Sequence, residues 1–307
     1  MTAPLRLGKM QETGLGRLFA IVDGDDPALR ARRLRAFEAI FALVVGVETW
    51  LRALSSVGPL QPVDRALLAV VTPACVAIVV SAAAPAWRLR RPAFALIALC
   101  LASLLWREFP ASGNHAYLEL AVCLLGSLLS LDSPEEQLLE LRAVRWMAVV
   151  IFFYSGLQKL VQGYYLHGEY LAFSFGSTSF RPVLALLADS GEIARLAALR
   201  GDVGDGPYRL GNAALLAASN ATWILEIAIA PALCWRRTRS LAVGVALAFL
   251  LGIEAAAREA FFGLVFADAI LLFARRDQHA RALPLVAALL ALLALIRLGI
   301  VPEVTFH

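Results

Sequence analysis

Charge is scarce in this sequence. Only 17% of the 307 residues are Asp, Glu, Lys or Arg, where a soluble globular domain carries about 25%. Cysteine is also sparse, with four residues (Cys75, Cys100, Cys123, Cys234) that all fall inside apolar runs. None has CxxC spacing, which argues against a disulfide framework and a thiolate metal site, so no metal is expected. The first twenty residues lack a continuous apolar core, so no cleavable signal peptide is predicted. Neither an internal repeat nor a low-complexity tail is present. What the chain has in excess is apolar surface: 60% hydrophobic residues and a mean hydropathy of +0.72. This composition predicts an all-α, polytopic integral membrane helical bundle in contact with the lipid bilayer.

A bilayer-spanning helix needs about 20 mostly apolar residues. Nine segments qualify, near 36–54, 67–87, 91–106, 115–131, 144–161, 212–235, 239–257, 260–274 and 282–300. The distribution of basic residues orients them. With the N-terminus cytoplasmic, the inside segments hold eighteen Lys and Arg and the outside segments eight, five of them from Lys159 to Arg209. Each short inside loop is more basic than each short outside loop, as the positive-inside rule requires. The net charge of +4 is therefore segregated along a membrane rather than gathered into a nucleic-acid surface. Nine spans, N-terminus in and C-terminus out, in the inner (plasma) membrane, is the self-consistent topology.

Three regions follow. Residues 1–35 form a cytoplasmic segment whose last part, DPALRARRLRA at 26–36, reads as a basic amphipathic lead-in on the membrane surface. Residues 36–300 form the transmembrane domain. Within it, 162–211 is a long outer loop with short helical patterns near 182–188 and 190–200. Tyr164, Tyr165, Tyr170, Phe173, Phe175 and Phe180 crowd its first part, which favours a partly re-entrant segment over disorder.

Ionisable residues inside spans are costly and mark sites or partners. Glu48 and Arg52, and likewise Glu254 and Arg258, have the i,i+4 spacing of a local ion pair. His115 follows Asn114 at a helix start, where Asn114 can cap and His115 can sit at the interface. Lys159 ends an apolar segment and can snorkel to the interface or serve as a buried base. Glu226 lies deep in TWILEIAIAP with no basic neighbour on its own helix, so it needs a partner on another helix or a proton. Asp268 also lacks a local partner. In the predicted topology His115, Lys159, Glu254 and Arg258 share the outer leaflet with the aromatic loop, an arrangement that suits a reaction chamber.

The stretches NHAYLEL (114–120) and FFYSGLQKL (152–160), followed by Tyr164 to Gly168, resemble the vitamin K-dependent gamma-carboxylases. They are similar also to the bacterial horizontally transferred transmembrane (HTTM) domain proteins. LEI around Glu226 and FFGLVF (261–266) continue the likeness, which covers about 34–275. The resemblance implies a lysine base, Lys159, that deprotonates reduced vitamin K or another membrane quinol, with His115 assisting. O2 and CO2 would then be co-reactants and a small peptide or small molecule the substrate. Asn114, Tyr117, Tyr164, Tyr165, Glu226, Glu254 and Arg258 are the candidate binding residues. The family's large lumenal region is missing. Glu254 stands where the family has a histidine, and Tyr164 and Tyr165 stand near a family tryptophan.

Three functions compete. The first is a membrane enzyme acting on a quinol or similar lipophilic compound at the outer face. The second is a non-enzymatic maturation, export or immunity factor for a small secreted peptide. The third, a transporter, finds no inverted repeat and no matching pair of broken helices.

Overall fold

The computed structural model describes residues 26–55, 62–84, 88–108, 114–174, 186–201, 209–257 and 260–274, and isolated positions between 279 and 291. Among them every regular element is a helix. The helices are α1 (Pro27–Ser55), α2 (Pro62–Ala83), α3 (Arg90–Glu108), α4 (Asn114–Leu128), α5 (Pro134–Gln162), α6 (Glu169–Ser174), α7 (Ser190–Gly201), α8 (Ala213–Cys234), α9 (Arg239–Ala257) and α10 (Ala260–Leu271). The expected 282–300 helix is helical at 282, 284, 286–288, 290 and 291, and the rest of it lies outside the described residues.

Local chemistry sets the helix ends. The Ser133 hydroxyl accepts the Glu136 N–H at 3.3 Å, Pro134 opens α5, and Glu135 and Glu136 fill its first turn. Gly163, at φ 76°, closes α5 by donating its N–H to the Lys159 carbonyl. The Asn212 side chain caps α8 by accepting the N–H groups of Ala214 and Leu215 at 2.9 and 3.1 Å.

Helices α1 to α4 pack in chain order, each on the next. The most extensive pairing between distant segments is α5 on α8, and α10 closes the bundle against α1, α4 and α5. One continuous apolar core runs through α1–α5 and α8–α10, with Phe37, Phe41, Phe94, Phe152, Phe266 and Phe273 among its buried members.

Two expectations change at one end of the bundle. The lead-in at 26–36 is not a separate surface helix, because α1 runs unbroken from Pro27. Arg30 and Arg33 are buried, with Arg30 donating to the Pro134 carbonyl at 3.1 Å and Arg33 to the carbonyls of Leu272 and Ala274 at 2.6 and 2.7 Å. Similarly, α5 starts at Pro134 rather than near 144, and Arg145 is fully buried against the Leu272 carbonyl and the Phe273 ring. Arg33 and Arg145 thus bond carbonyls in the turn just past the C-terminal end of α10.

The described stretches 163–174, 186–201 and 209–211 build a cap over the opposite end. It has a small core of its own, with Ala172, Ala188, Leu196 and Leu210 packed against Leu215 of α8. Gly168, at φ 71°, lies against the Leu210 side chain, and a Cβ there would overlap Leu210. The helical pattern expected at 190–200 is α7, whereas 182–185 lie outside the described residues.

Candidate functional site

The α5–α8 contact depends on one residue without a side chain. A Cβ built on Gly156 would lie 2.8 Å from the Trp223 carbonyl oxygen and 2.9 Å from Glu226 Cβ. Only glycine lets the two helices approach this closely. One turn after Gly156 on α5 is Lys159, and opposite it on α8 is Glu226.

These two form the site. Lys159 Nζ donates to both Glu226 carboxylate oxygens, at 2.5 and 2.6 Å, and to Ser155 Oγ at 2.9 Å. Glu226 is nearly sealed, with 7% of its side chain exposed, while Lys159 keeps 20%. Access to the pair is therefore from the lysine side. The Lys159 ammonium also lies 5.4 Å from the centre of the Tyr165 ring, a cation–π distance. Tyr165 in turn stacks on Tyr170 at 5.1 Å. Its carbonyl accepts the Ser219 hydroxyl at 2.9 Å, and Asn220 Nδ2 donates to the Leu166 carbonyl at 3.2 Å. The first turn of the cap is thus bonded to α8 directly over the ion pair.

The interhelical partner that Glu226 requires is Lys159. The lysine does not snorkel outward but folds onto the carboxylate. Chemically, such a pair can pass a proton between Nζ and the carboxylate, next to two stacked phenol rings.

The other candidates are distributed. Tyr164 is exposed at the start of the cap, and Tyr117 is exposed on α4. Asn114 and His115 open α4, and their side chains lie outside the described residues, as does Arg258. Glu254 accepts the Gly263 N–H at 3.0 Å, which satisfies a free donor in the first turn of α10 and joins α9 to α10. Glu48 is buried, while the side chain of Arg52 lies outside the described residues.

Several polar groups escaped the sequence reading. Ser155, Ser219 and Asn220 carry only the signal of being polar on apolar helices. Asp268, read as lacking a local partner, lies 3.3 Å from His279 Nε2, and both are buried. Most unexpected is a network at the other end of the bundle. Arg90 donates to Glu38 and Glu140, and its remaining N–H groups reach the carbonyls of Gly126 and Leu129. All three charged residues are buried. Among the described residues no group of three or more His, Cys, Asp or Glu forms a metal site.

No family model, curated protein or solved structure matches this chain.

Proposed function

We propose that the chain is a multi-pass integral membrane enzyme whose Lys159–Glu226 pair moves a proton to and from a lipophilic substrate at the outer face. The observation that carries this reading is the sealed carboxylate bonded to a partly accessible lysine beneath Tyr165.

The membrane part rests on an inverted distribution of polarity. Arg33, Arg145, Glu38, Glu140, Glu226 and Asp268 are buried, whereas Leu99, Trp106, Leu128, Val161, Leu241 and Leu251 are among the most exposed side chains. Two helices, at Arg65–Ala83 and Ala213–Cys234, are long and apolar enough to cross a bilayer. Only 28% of each stretch is buried, where the core helix of a soluble protein would be mostly buried. An apolar exterior around a charged interior suits lipid as solvent. The nine-span, N-in and C-out topology and the plasma-membrane location belong to this same reading.

The resemblance supplies a substrate class, a reduced quinol. The residues fit one: Lys159 offers a cation with an exposed edge, and the Tyr165–Tyr170 stack offers a flat aromatic face beside it. A quinol supplies an acidic hydroxyl and reducing power toward O2, with CO2 as the further co-reactant the resemblance implies. In this chain Lys159 Nζ passes a proton to Glu226 and, as a neutral amine, accepts one from the substrate hydroxyl. The pair then carries a net positive charge beside the new anion, which offsets the cost of forming that anion away from water. Ser155 holds the amine in line, and the Tyr165 ring lies beside it.

The test is O2 uptake by purified protein in nanodiscs with reduced vitamin K. Lys159→Ala and Glu226→Gln are each expected to lower turnover by about 10²–10⁴-fold, the range for removal of an acid–base group. Full turnover in both variants removes the proposal.

A second reading draws on the exposed Tyr170, Phe173, Leu186 and Leu187 of the cap. They would seat a small secreted peptide for maturation, export or immunity without catalysis. In that case peptide binding survives Lys159→Ala and fails in Phe173→Ser.

A further inference from the structure

At the end of the bundle away from Lys159 lies a cavity of about 270 Å³ that the site above does not use. Arg35 of α1, Arg88 of the α2–α3 connection and Arg90 and Arg91 of α3 line it, with Ser130 and Asp132 of the α4–α5 turn. Four arginines thus face one aspartate.

Their duties differ. Arg90 is committed, since Glu38, Glu140 and two carbonyls occupy its N–H groups, so it serves as a rigid wall. Arg91 uses Nε on the Ser127 carbonyl, at 3.0 Å, and among the described residues its two terminal nitrogens have no partner. Among the described residues Arg35 and Arg88 make no ion pair. Asp132 accepts from the Ser130 hydroxyl at 3.2 Å rather than from an arginine. Arg35, Arg88 and Arg91 thus line one concave space in which Asp132 is the one carboxylate among the described lining residues. Such a lining is self-repelling unless an anion joins it. The guanidinium fork matches the oxygens of a phosphate, with paired N–H donors for paired oxygens.

We propose that this cavity is a binding site for a phosphate-bearing anion, gripped by Arg35, Arg88 and Arg91. One source is the headgroup of an anionic lipid in the cytoplasmic leaflet, which rests on the membrane reading above. The other is free phosphate or a soluble phosphate ester, which does not depend on it.

Two arms separate the sources. In the first, inorganic phosphate is titrated into the full-length protein in neutral detergent by calorimetry. In the second, native mass spectrometry counts lipids retained from nanodiscs of phosphatidylcholine with and without phosphatidylglycerol. Binding in the first arm assigns a free anion, and selective retention of phosphatidylglycerol in the second assigns a headgroup. In either arm, Arg35→Gln and Arg88→Gln are each expected to weaken binding by about fivefold, the effect of one arginine near an anionic surface. Arg236→Gln with Arg237→Gln, which removes two exposed charges elsewhere, is expected to leave it unchanged. If Arg35→Gln disturbs folding, the exposed Arg88→Gln carries the comparison alone.

The proposal is overturned if the wild type binds neither probe, or if the Arg236 and Arg237 changes cost as much as the Arg35 and Arg88 changes. Lys159-dependent O2 uptake with no anion bound removes this inference alone. Anion binding with no such uptake removes the functional reading alone.

Discussion

At the scale of single residues, the pair of Lys159 and Glu226 is both the proposed active centre and a structural risk. Removing one partner strands a charge in a poorly solvated place, which costs about 3–5 kcal/mol for a buried pair. Lys159→Met strands the Glu226 carboxylate, only 7% exposed, so its loss of stability is expected within that range. Replacing both, as Lys159→Met with Glu226→Leu, leaves no charge to strand and is expected to restore most of the stability while activity stays lost. Thermal unfolding in detergent reads the first effect and O2 uptake the second. A double variant as unstable as the single one would mean that packing, not charge, governs the site. The sequence reading identified half of this pairing. Glu226 was recognisable as needing a partner because its own helix offers none. The identity of that partner was not, because 67 positions separate the two residues and Gly156 alone permits the approach. Asp268 and His279 escaped for a similar reason, since they meet across the turn that follows α10.

At the scale of elements, the described part of the cap is tied to α8 through a titratable group, Glu192. Its hinge to α8 is polar: Glu192 Oε1 accepts the Gly211 N–H at 2.7 Å, and Arg195 donates to both Glu192 oxygens at 2.8 Å. The bond from Arg195, then those from the Gly211 and Asn212 N–H groups, holds the Glu192 carboxyl below the usual carboxylate range against some opposing desolvation. A lowered folded-state pKa stabilises the cap above the unfolded value, about 4.3, and that stabilisation is lost as pH falls through the folded value. Amide exchange across 209–213 is therefore expected to be slow at pH 7 and, after correction for intrinsic exchange, to speed up as pH falls below about 4. Glu192→Gln should flatten that dependence. Unchanged protection in the wild type at pH 3 would show that Glu192 does not tie the cap. The existence of α7 was legible from its helical pattern, but its role as a brace was not, because Gly211 and Asn212 carry no mark of what they will meet.

At the scale of the whole molecule, the all-α class followed from composition, and the helix starts did not. Arg30 and Arg33 read as part of a basic lead-in on the membrane surface, and Arg145 as a cytoplasmic charge, because an arginine inside an apolar span is expensive. Here the carbonyl groups just past the end of α10 take up Arg33 and Arg145, and the α5 start takes up Arg30, so α1 and α5 extend further than hydropathy suggests. The consequence is a bundle with distinct ends: a charged, arginine-lined end around Arg90 and an aromatic, capped end around Lys159. The membrane reading assigns these to the cytoplasmic and outer faces, and two exposed positions test that assignment without touching either site. Thr238→Cys lies on the α8–α9 turn and Asp189→Cys in the cap, both on exposed residues. The four native cysteines lie buried or half-buried within helices, so they contribute little to labelling by a membrane-impermeant maleimide. In intact cells Asp189→Cys is expected to react at once and Thr238→Cys only after the membrane is opened. Equal reactivity at both positions in intact cells would rule out a bilayer between them. Reversal of the order would keep the bundle in the membrane but turn it over, moving Lys159 to the cytoplasmic side and denying an outer-face substrate access to it.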